Sequence, residues 1–387
     1  MDRRIVYMDY NATTPLHPDV KARMIEDMEI YANASSLHEA GRLAHSRVEE
    51  SRASVARLIG ASDPASVIFT SGGSESNNTV FATMFHLARK GTRKGIVTTA
   101  IEHPCVINSA LWLKEEGLPV RFLGVDSKGR VDLDELREAV GPETLLVSVM
   151  AANNEIGTVE DVSAISEIAR SAGAFFHTDA TQCAGKIPVD VEAWKPDYLT
   201  LSCHKIYGPK GIGALYVRKG APIIPLIRGG HQEHGHRAGT YNNPGILGFG
   251  IAAEIARKEQ PGYASRLSKL RERLRDGLVS RVPSIHVNGH ETEVLPNTLN
   301  ISFPGAEGES ILLSLDLEGI QVSTGSACAS GSLEPSHVLI ATGLGPELAH
   351  GSIRFSLGRD TTEEDVDYVI EKLPPIIERL RRMSTLA

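Results

Sequence analysis

Lys205 is the residue of this sequence whose position most strongly suggests covalent chemistry. It lies between two apolar runs, 198–201 and 213–217, with Ser202 and His204 just before it. Both runs predict buried strands, so we expect the lysine in a loop at the edge of a sheet, where burial lowers the pKa of an amine. Such an amine attacks aldehydes, which include pyridoxal 5′-phosphate (PLP), and the serine and histidine are candidate phosphate donors. An isolated lysine in a turn is more often an ordinary surface residue.

The segment from residue 202 to residue 217 reads S-C-H-K-I-Y-G-P-K-G-I-G-A-L-Y-V. It resembles the PLP-lysine segment of the group I cysteine desulfurases, the NifS/IscS-like enzymes of the class V aminotransferase family. The resemblance extends from residue 8 to about residue 369. It implies a protein of PLP fold type I with PLP as its cofactor. The implied reaction removes sulfur from L-cysteine and gives L-alanine and an enzyme persulfide.

Several polar residues follow predicted strands, at the sheet edge where α/β proteins bind ligands. Asp179 follows the apolar run 174–177 and is suited to keep the ring nitrogen of PLP protonated, which the ring needs in order to accept electrons. The glycine-rich loop 71–78 opens a predicted helix, whose free N–H groups favour a phosphate, although many such loops bind nothing. The resemblance implies that His103 stacks on the ring and moves protons, and that Gln182 contacts the ring hydroxyl. The expected cofactor-binding residues are Gly73, Ser74, His103, Asn154, Asp179, Gln182, Ser202, His204, Lys205 and Thr240.

Arg354 lies among apolar residues in a predicted short strand. A buried arginine needs an anionic partner, and its planar guanidinium grips a carboxylate through two N–H groups. The resemblance implies that this partner is the α-carboxylate of the substrate, with Asn154 and Asn11 as further substrate-binding residues. An internal salt bridge is the alternative, and the sequence does not name its carboxylate.

Cys328 lies in a stretch of small and polar residues, 321–332, that we expect to be mobile and unable to pack into a core. A cysteine in such a loop is exposed, and it becomes a nucleophile when its thiol ionises. The segment resembles the nucleophile loop of the family, so the expected catalytic residues are Cys328, Lys205 and His103. Cys328 is also a candidate ligand of a transferred Fe–S cluster. The four cysteines lie far apart without C-x-x-C spacing, which disfavours disulfides and a resident metal site.

The loop 229–240 contains three histidines and a glutamate, but their irregular spacing disfavours a metal site. In the resembling family the threonine that matches Thr240 contacts the cofactor phosphate of the neighbouring subunit. The resemblance therefore implies a homodimer with shared active sites. His234 stands where the family usually has arginine, and a histidine is mostly neutral at pH 7.

Short apolar runs alternate with helical patterns along most of the 387 residues. This alternation predicts an α/β fold, a mostly parallel sheet flanked by helices in a large domain of residues 15–258. Residues 1–14 and 259–387 are expected to form a smaller α+β domain that carries the loop with Cys328. Pro261 and Gly262 predict a break between one helix and the next.

The formal net charge is −8 and no long basic stretch occurs, so direct binding to nucleic acid is not expected. The apolar stretches are too short to span a bilayer and no signal peptide is evident, which favours a cytoplasmic protein without membrane contact. The resemblance points to an Fe–S scaffold protein of the NifU/IscU type as sulfur acceptor, and tRNA thiolation or a nitrogenase role is equally compatible. The alternatives are a selenocysteine lyase, another class V PLP aminotransferase-like enzyme, or a scaffold without catalysis. An aminotransferase has no use for a nucleophile such as Cys328.

Overall fold

The computed structural model describes residues 4–324 and 334–383. Its strands are β1 (Val6–Tyr7), β2 (Val67–Thr70), β3 (Gly95–Thr99), β4 (Val120–Leu123), β5 (Thr144–Ser148), β6 (Phe175–Asp179), β7 (Tyr198–Ser202), β8 (Gly213–Val217), β9 (His286–Asn288), β10 (Thr298–Ser302), β11 (Ile320–Gln321) and β12 (Ser352–Ser356). Its helices are α1 (Pro18–Asp27), α2 (Glu39–Leu58), α3 (Gly73–Ala88), α4 (Pro104–Glu115), α5 (Leu133–Ala139), α6 (Val162–Ser171), α7 (Val191–Trp194), α8 (Asn243–Arg281), α9 (Gly308–Leu317), α10 (His337–Ala341), α11 (Pro346–His350) and α12 (Glu363–Met383).

Seven strands form the main sheet in the order β2-β8-β7-β6-β5-β3-β4. The pairs from β7 to β4 are parallel, while β8 runs antiparallel to both of its neighbours. Most of these strands are short, apolar and fully buried, which is the pattern of a sheet covered by helices on both faces. The expected mostly parallel α/β sheet is confirmed.

One edge of this sheet receives the carboxyl ends of β2, β3, β5, β6 and β7, since β8 alone among the central strands is reversed. The segments that follow these five strands contain most of the residues singled out above. A parallel sheet therefore gathers side chains that lie more than one hundred residues apart in the chain.

The helix α8 crosses the position where we expected a break. It runs for 39 residues with Pro261 in its interior, so the expected interruption is wrong. A proline costs one backbone hydrogen bond, and here tertiary packing outweighs that cost, because apolar residues before it join one core and residues after it join another. No helix among residues 4–324 and 334–383 is long and apolar enough to cross a membrane.

A second, smaller sheet lies in the C-terminal part of the chain. Its order is β12-β10-β9, all antiparallel, and a separate parallel pair joins β1 to β11. Its apolar core contains Val6, Met8 and residues from α8, α9 and α12, and is distinct from the cluster beneath the main sheet. The N-terminal strand thus packs with the C-terminal part of the chain.

Candidate active site

Lys205 ends a short 3₁₀ turn, Cys203–Lys205, that follows β7 directly. Its amine donates hydrogen bonds to the carbonyl oxygens of Asn11 and Ala12, the latter at 2.7 Å. The N-terminal segment therefore covers this lysine. The neighbouring His204 ring lies 3.1 Å from the Thr13 hydroxyl through Nδ1, and burial lowers its pKa to about 4. The His204 imidazole is thus neutral at pH 7.

The start of α3 meets the end of β7 in a confined space. A Cβ atom placed on Gly73 would lie 3.3 Å from Thr181 Oγ1 and 3.7 Å from Ser202 Cβ. A Cβ atom on Gly213 would lie 2.6 Å from the backbone of Gly72, so the first residue of β8 must be glycine for the loop to approach. The Thr181 hydroxyl is buried and has no hydrogen-bond partner among the described residues.

Asp179 is the last residue of β6 and is buried. Its Oδ2 accepts a hydrogen bond from Asn77 Nδ2 at 2.8 Å, and its Oδ1 accepts one from the backbone N–H of Thr181 at 2.9 Å. Both donors fix the direction of the carboxylate. Asn77 lies in the second turn of α3, so the helix that starts at Gly73 also orients this acid.

His103 caps the N-terminus of α4. Its Nδ1 accepts a hydrogen bond from the backbone N–H of Cys105 at 3.2 Å and lies 3.0 Å from the Cys105 sulfur. Burial lowers the pKa of His103, and the nearby charges of Asp179 and Lys205 act on it in opposite directions. Because Nδ1 accepts, the neutral ring carries its proton on Nε2.

Asn11 connects several residues of the site. Its backbone carbonyl accepts from Lys205 and from Gln182 Nε2, the second at 3.1 Å. Its side-chain Nδ2 donates to the Asn154 carbonyl at 3.1 Å and to Thr298 Oγ1 at 2.8 Å. The structure therefore brings Asn11, Asn154, Gln182 and Lys205 together.

Arg354 lies in β12 and is buried, and the carboxylate that the sequence could not name is Asp9. Arg354 Nη2 donates to Asp9 Oδ1 at 2.8 Å, and Nη1 donates to the Asn154 carbonyl at 3.1 Å. The Nε atom has no hydrogen-bond partner among the described residues. Asn154 thus joins Arg354 to the Asn11 cluster.

Thr240 is exposed, and the described contacts do not join it to the cluster around Lys205. Its loop is fixed at two points: Arg52 pairs with Glu233 at 2.6 Å, and Arg237 pairs with Glu75 at 3.0 Å in the first turn of α3. His234 has a positive φ of 54°, a strained conformation for a side chain other than glycine. The loop is thus held in one shape while Thr240 faces solvent.

Cys328 lies outside the described residues, although both flanks of its segment are placed. Before it, Ser323 forms a β-bridge with Arg354. After it, the Ser336 hydroxyl donates to Glu155 Oε2 at 2.5 Å, and burial raises the pKa of Glu155 to about 7. Burial also raises the pKa of the thiols of Cys105 and Cys183 to about 12 and that of Cys203 well above its ordinary value. These three thiols are therefore not ionised at neutral pH.

Metal chemistry finds no support in the described ranges, where no three His, Cys, Asp or Glu side chains lie close enough to hold an ion. The histidines of the 229–240 loop form no such group there.

Known proteins resemble the chain over nearly its whole length. The class-V aminotransferase family matches residues 6–369. A cysteine desulfurase IscS of Dictyoglomus turgidum is 48% identical over 384 residues, which is 99% of this chain and 97% of that protein. A cysteine desulfurase IscS of Methanosarcina thermophila is 47% identical over 386 residues, 100% of this chain and 95% of that protein. A solved NifS-like protein has a TM-score of 0.91 at 40% identity and covers 97% of this chain and 100% of its own.

The chain therefore belongs to the class-V aminotransferase family, with the architecture of PLP fold type I and PLP as its cofactor. Within that family it is a NifS/IscS-like protein of the group I cysteine desulfurase type. The resemblance first inferred from the motifs is confirmed. The roles of the individual site residues stay predictions.

The residues present fit PLP. The first turn of α3 and the partnerless Thr181 hydroxyl offer donors to a phosphate. The Asp179 carboxylate, oriented by Asn77, suits a protonated ring nitrogen. The Lys205 amine, in the turn after β7, would be the group that reacts with the aldehyde. These groups suit the phosphate, the ring nitrogen and the aldehyde of one phosphorylated pyridine aldehyde.

Three residues of the site escaped the sequence reasoning. They are Asp9, Asn77 and Lys186, which hold Arg354, Asp179 and Gln182 respectively. Lys186 follows Gln182 by four residues, a spacing that could have suggested contact. The other two pairs lie far apart in the chain and carry no local signal.

Proposed function

We propose that the protein is a PLP-dependent cysteine desulfurase that converts L-cysteine to L-alanine and transfers the sulfur to Cys328 as a persulfide. The observation that carries the proposal is that Lys205, Asp179 and His103 follow the carboxyl ends of strands of the main sheet, in a chain of the NifS/IscS type. Arg354 of β12 joins the same cluster through the Asn154 carbonyl. PLP, when bound, supplies an aldehyde for amines and a ring that withdraws electrons from the substrate Cα.

Each side chain has one task in this proposal. Arg354 binds the substrate carboxylate with Asn154 and Asn11, and the buried setting strengthens the charge-assisted contact. Asp179 keeps the ring nitrogen protonated, while Gln182 contacts the ring hydroxyl. Gly73, Ser74, Ser202 and His204 bind the phosphate, as the sequence predicted. Lys205 and His103 move protons at the substrate carbons.

The Cys328 thiolate attacks the sulfur of the substrate. The bond between the substrate Cβ and sulfur breaks, a new sulfur–sulfur bond forms on Cys328, and the carbon keeps the electron pair and gains a proton. The products are L-alanine and a persulfide. Cys328 follows Ser323, which bridges Arg354, by five residues, a chain reach of at most about 18 Å.

The replacement Cys328→Ala tests the assigned nucleophile. We expect the variant to bind PLP with the absorbance of the wild type and to form no alanine or sulfide from L-cysteine beyond a background of about 1%, because no described thiol is ionised. Cys183→Ala, which removes a core thiol, is the control and should keep turnover. Sustained alanine and sulfide production by Cys328→Ala would refute the role. A wild-type rate on selenocysteine far above that on cysteine would favour a selenocysteine lyase.

We further propose a homodimer in which Thr240 contacts the cofactor phosphate of the partner subunit. Thr240 is exposed on a loop that two ion pairs hold in place. The exposed apolar side chains Tyr31 and Leu37, 91% and 89% accessible, offer apolar surface for a second copy. Light scattering after size exclusion should give twice the mass of 41.7 kDa.

Complementation tests whether the sites are shared. Lys205→Ala and Thr240→Asp subunits are each expected to be inactive, the second because its carboxylate repels phosphate. Co-assembled subunits should regain activity, since one site per dimer then receives an intact Lys205 and an intact Thr240. Co-assembly without recovered activity, with mixed dimers shown by mass, would contradict the shared site.

The acceptor and the domain division are also proposals. The proposed sulfur acceptor is a scaffold of the NifU/IscU type in the cytoplasm, with Cys328 as a ligand of the transferred cluster. The experiment measures transfer of ³⁵S from the persulfide to a scaffold and, in parallel, to a tRNA-thiolation protein. The apolar cluster formed by Val6, Met8 and residues of α8, α9 and α12 supports a small domain of 1–14 and 259–387 beside a large domain of 15–258, while a smaller cluster joins Ile101 and Met150 to Leu339 across that boundary. Limited proteolysis that yields these fragments would support the division.

A further inference from the structure

Lys186 is a second buried lysine beside the first. Its amine donates to Gln182 Oε1 at 2.6 Å and to Asn11 Oδ1 at 3.2 Å. Both acceptors are neutral amides. Burying an amine is costly unless its donors are satisfied, and nothing in the proposed reaction uses this one. The proposed reaction therefore does not explain why this lysine is buried here.

The first effect of Lys186 is on the direction of the Gln182 amide. An amide side chain can present either its oxygen or its NH₂ group to a neighbour, whereas a lysine only donates here. Because Oε1 accepts from Lys186, Nε2 turns to the Asn11 carbonyl, 3.1 Å away. That carbonyl also accepts from Lys205. The NH₂ group of Gln182 and the Lys205 amine thus converge on one oxygen.

The second effect of Lys186 is on the Asn11 side chain. Asn11 Oδ1 accepts from Lys186 and from Asn297 Nδ2, the latter at 3.0 Å. With both donors on the oxygen, Asn11 Nδ2 points to the Asn154 carbonyl and Thr298. Lys186 therefore helps to fix the N-terminal segment over the site.

We propose that Lys186 is a positioning residue, whose amine sets the direction of the side-chain amides of Gln182 and Asn11. The Gln182 NH₂ group then faces the cofactor ring hydroxyl. The fixed Asn11 side chain in turn holds in place the Asn11 backbone carbonyl that accepts from Lys205. This inference rests on the proposed function. No bond is made or broken at Lys186, and it touches neither substrate nor reacting atoms.

The electrostatics are consistent with this role. Burial, together with the charges of Lys205 and Arg354, lowers the pKa of Lys186 to about 7, against an opposing effect of Cys183. A cavity lined by Lys186 and Lys205 also contains Glu259, Arg359 and His17. The protonated amine has no acceptor and so enforces the amide directions below pH 7. Above pH 7 the neutral amine still has N–H donors for both oxygens, while one positive charge beside Lys205 is lost.

The test compares Lys186→Met with Lys186→Gln in the full chain. Methionine removes the donor, so we expect PLP to bind about tenfold more weakly, as for the loss of one or two hydrogen bonds. The pH midpoint of the bound cofactor's absorbance should shift, and kcat should fall more than KM rises. Glutamine retains a donor and should rescue most of the PLP affinity. Lys219→Met, an exposed lysine, is the control and should leave all three readouts unchanged.

A double-mutant cycle with Gln182→Ala separates positioning from general stability. If Lys186 acts through Gln182 and Asn11, Lys186→Met weakens PLP binding less in the Gln182→Ala background than in the wild type, and only the part that acts through Asn11 remains. Additive losses, or a Lys186→Met protein that equals the wild type in PLP affinity and absorbance midpoint, would overturn the proposal. Should Lys186→Met not fold, Lys186→Ala, which also removes the donor, takes its place in the same cycle. A wild type that binds PLP but yields no alanine would instead contradict the proposed function, and the PLP-affinity cycle would still be readable.

Discussion

Two buried arginines of this protein are held in very different ways. Arg52 is 1% exposed and makes two hydrogen bonds to Glu233, which is 3% exposed and also accepts from the backbone of Phe69. Its guanidinium lies over the Phe69 ring and also donates to a strand carbonyl. Arg354 makes one hydrogen bond to Asp9, whose side chain is 21% exposed.

The difference separates a structural ion pair from an arginine that we propose to bind the substrate. The carboxylate of Glu233 takes both Nη groups of Arg52, and hydrogen bonds and charge raise the Arg52 pKa against the opposing effect of burial. Arg354 has a partly hydrated partner and an Nε without one among the described residues. A guanidinium that is buried but incompletely bound can accept an incoming carboxylate, and one that is fully bound cannot.

The largest effect on stability is expected for Arg52→Leu. Removing one partner of a buried pair leaves the Glu233 charge without compensation, which costs about 3–5 kcal/mol of unfolding free energy. Urea unfolding measures this loss. The kcat/KM per folded molecule should fall less than for Arg354→Gln, because Arg52 acts on the loop that carries Thr240 and does not bind the substrate. The double variant Arg52→Leu, Glu233→Leu should recover most of the stability. A double variant as unstable as the single one would show that the charge is not the cause.

Arg354→Gln should show the opposite pattern. Loss of a charge-assisted contact of about 1.5–3 kcal/mol lowers kcat/KM for L-cysteine by about 10- to 150-fold. Stability should fall less than for Arg52→Leu, because Asp9 keeps part of its hydration. Arg354→Lys retains the charge but not the planar fork and should recover little. If steady-state kinetics gave unchanged kcat/KM, Arg354 would not bind the substrate.

Glu102 is a buried carboxyl that accepts hydrogen bonds from Thr99 and Met150 and not from Arg52 or Arg354. Without a cation beside it in the part of the chain that the structure describes, its effect on stability depends on pH. Burial raises its pKa to about 8, so between about pH 4.5 and pH 8 the folded state holds a proton that the unfolded state has lost. Its contribution to stability is therefore present at low pH and lost as pH rises. Glu102→Gln should gain stability relative to the wild type as pH rises from 5 to 8, by up to about 1.4 kcal/mol per pH unit. Exposed Glu115→Gln should show a flat difference in the same unfolding series.

The smallest effect is expected for Asp9→Asn. The amide oxygen still accepts from Arg354, but its charge no longer competes with the substrate carboxylate for the guanidinium. KM for L-cysteine should fall about two- to threefold, with kcat little changed, as for a surface-level charge effect below 1 kcal/mol. A tenfold rise in KM would mean that Asp9 orients Arg354 and does not compete for it.

Much of the sheet could be predicted from local patterns. The strands at 67–70 and 213–217 begin and end where the apolar runs do, and Asp179 and Lys205 lie at strand ends as expected. Such features depend on residues close in sequence. The continuous α8 was not predictable in this way, because packing on two cores outweighs the local effect of Pro261.

The sequence alone determined the family, the cofactor, the order of strands and helices, and which side chains stand at strand ends, because hydrophobic periodicity and motif spacing are local. Only the tertiary structure decided the partners of the buried polar groups. Asp9 reaches Arg354 across 345 residues, and Asn77 reaches Asp179 across 102. A buried charge or amide must find a partner wherever the fold brings one, and no spacing along the chain encodes that distance.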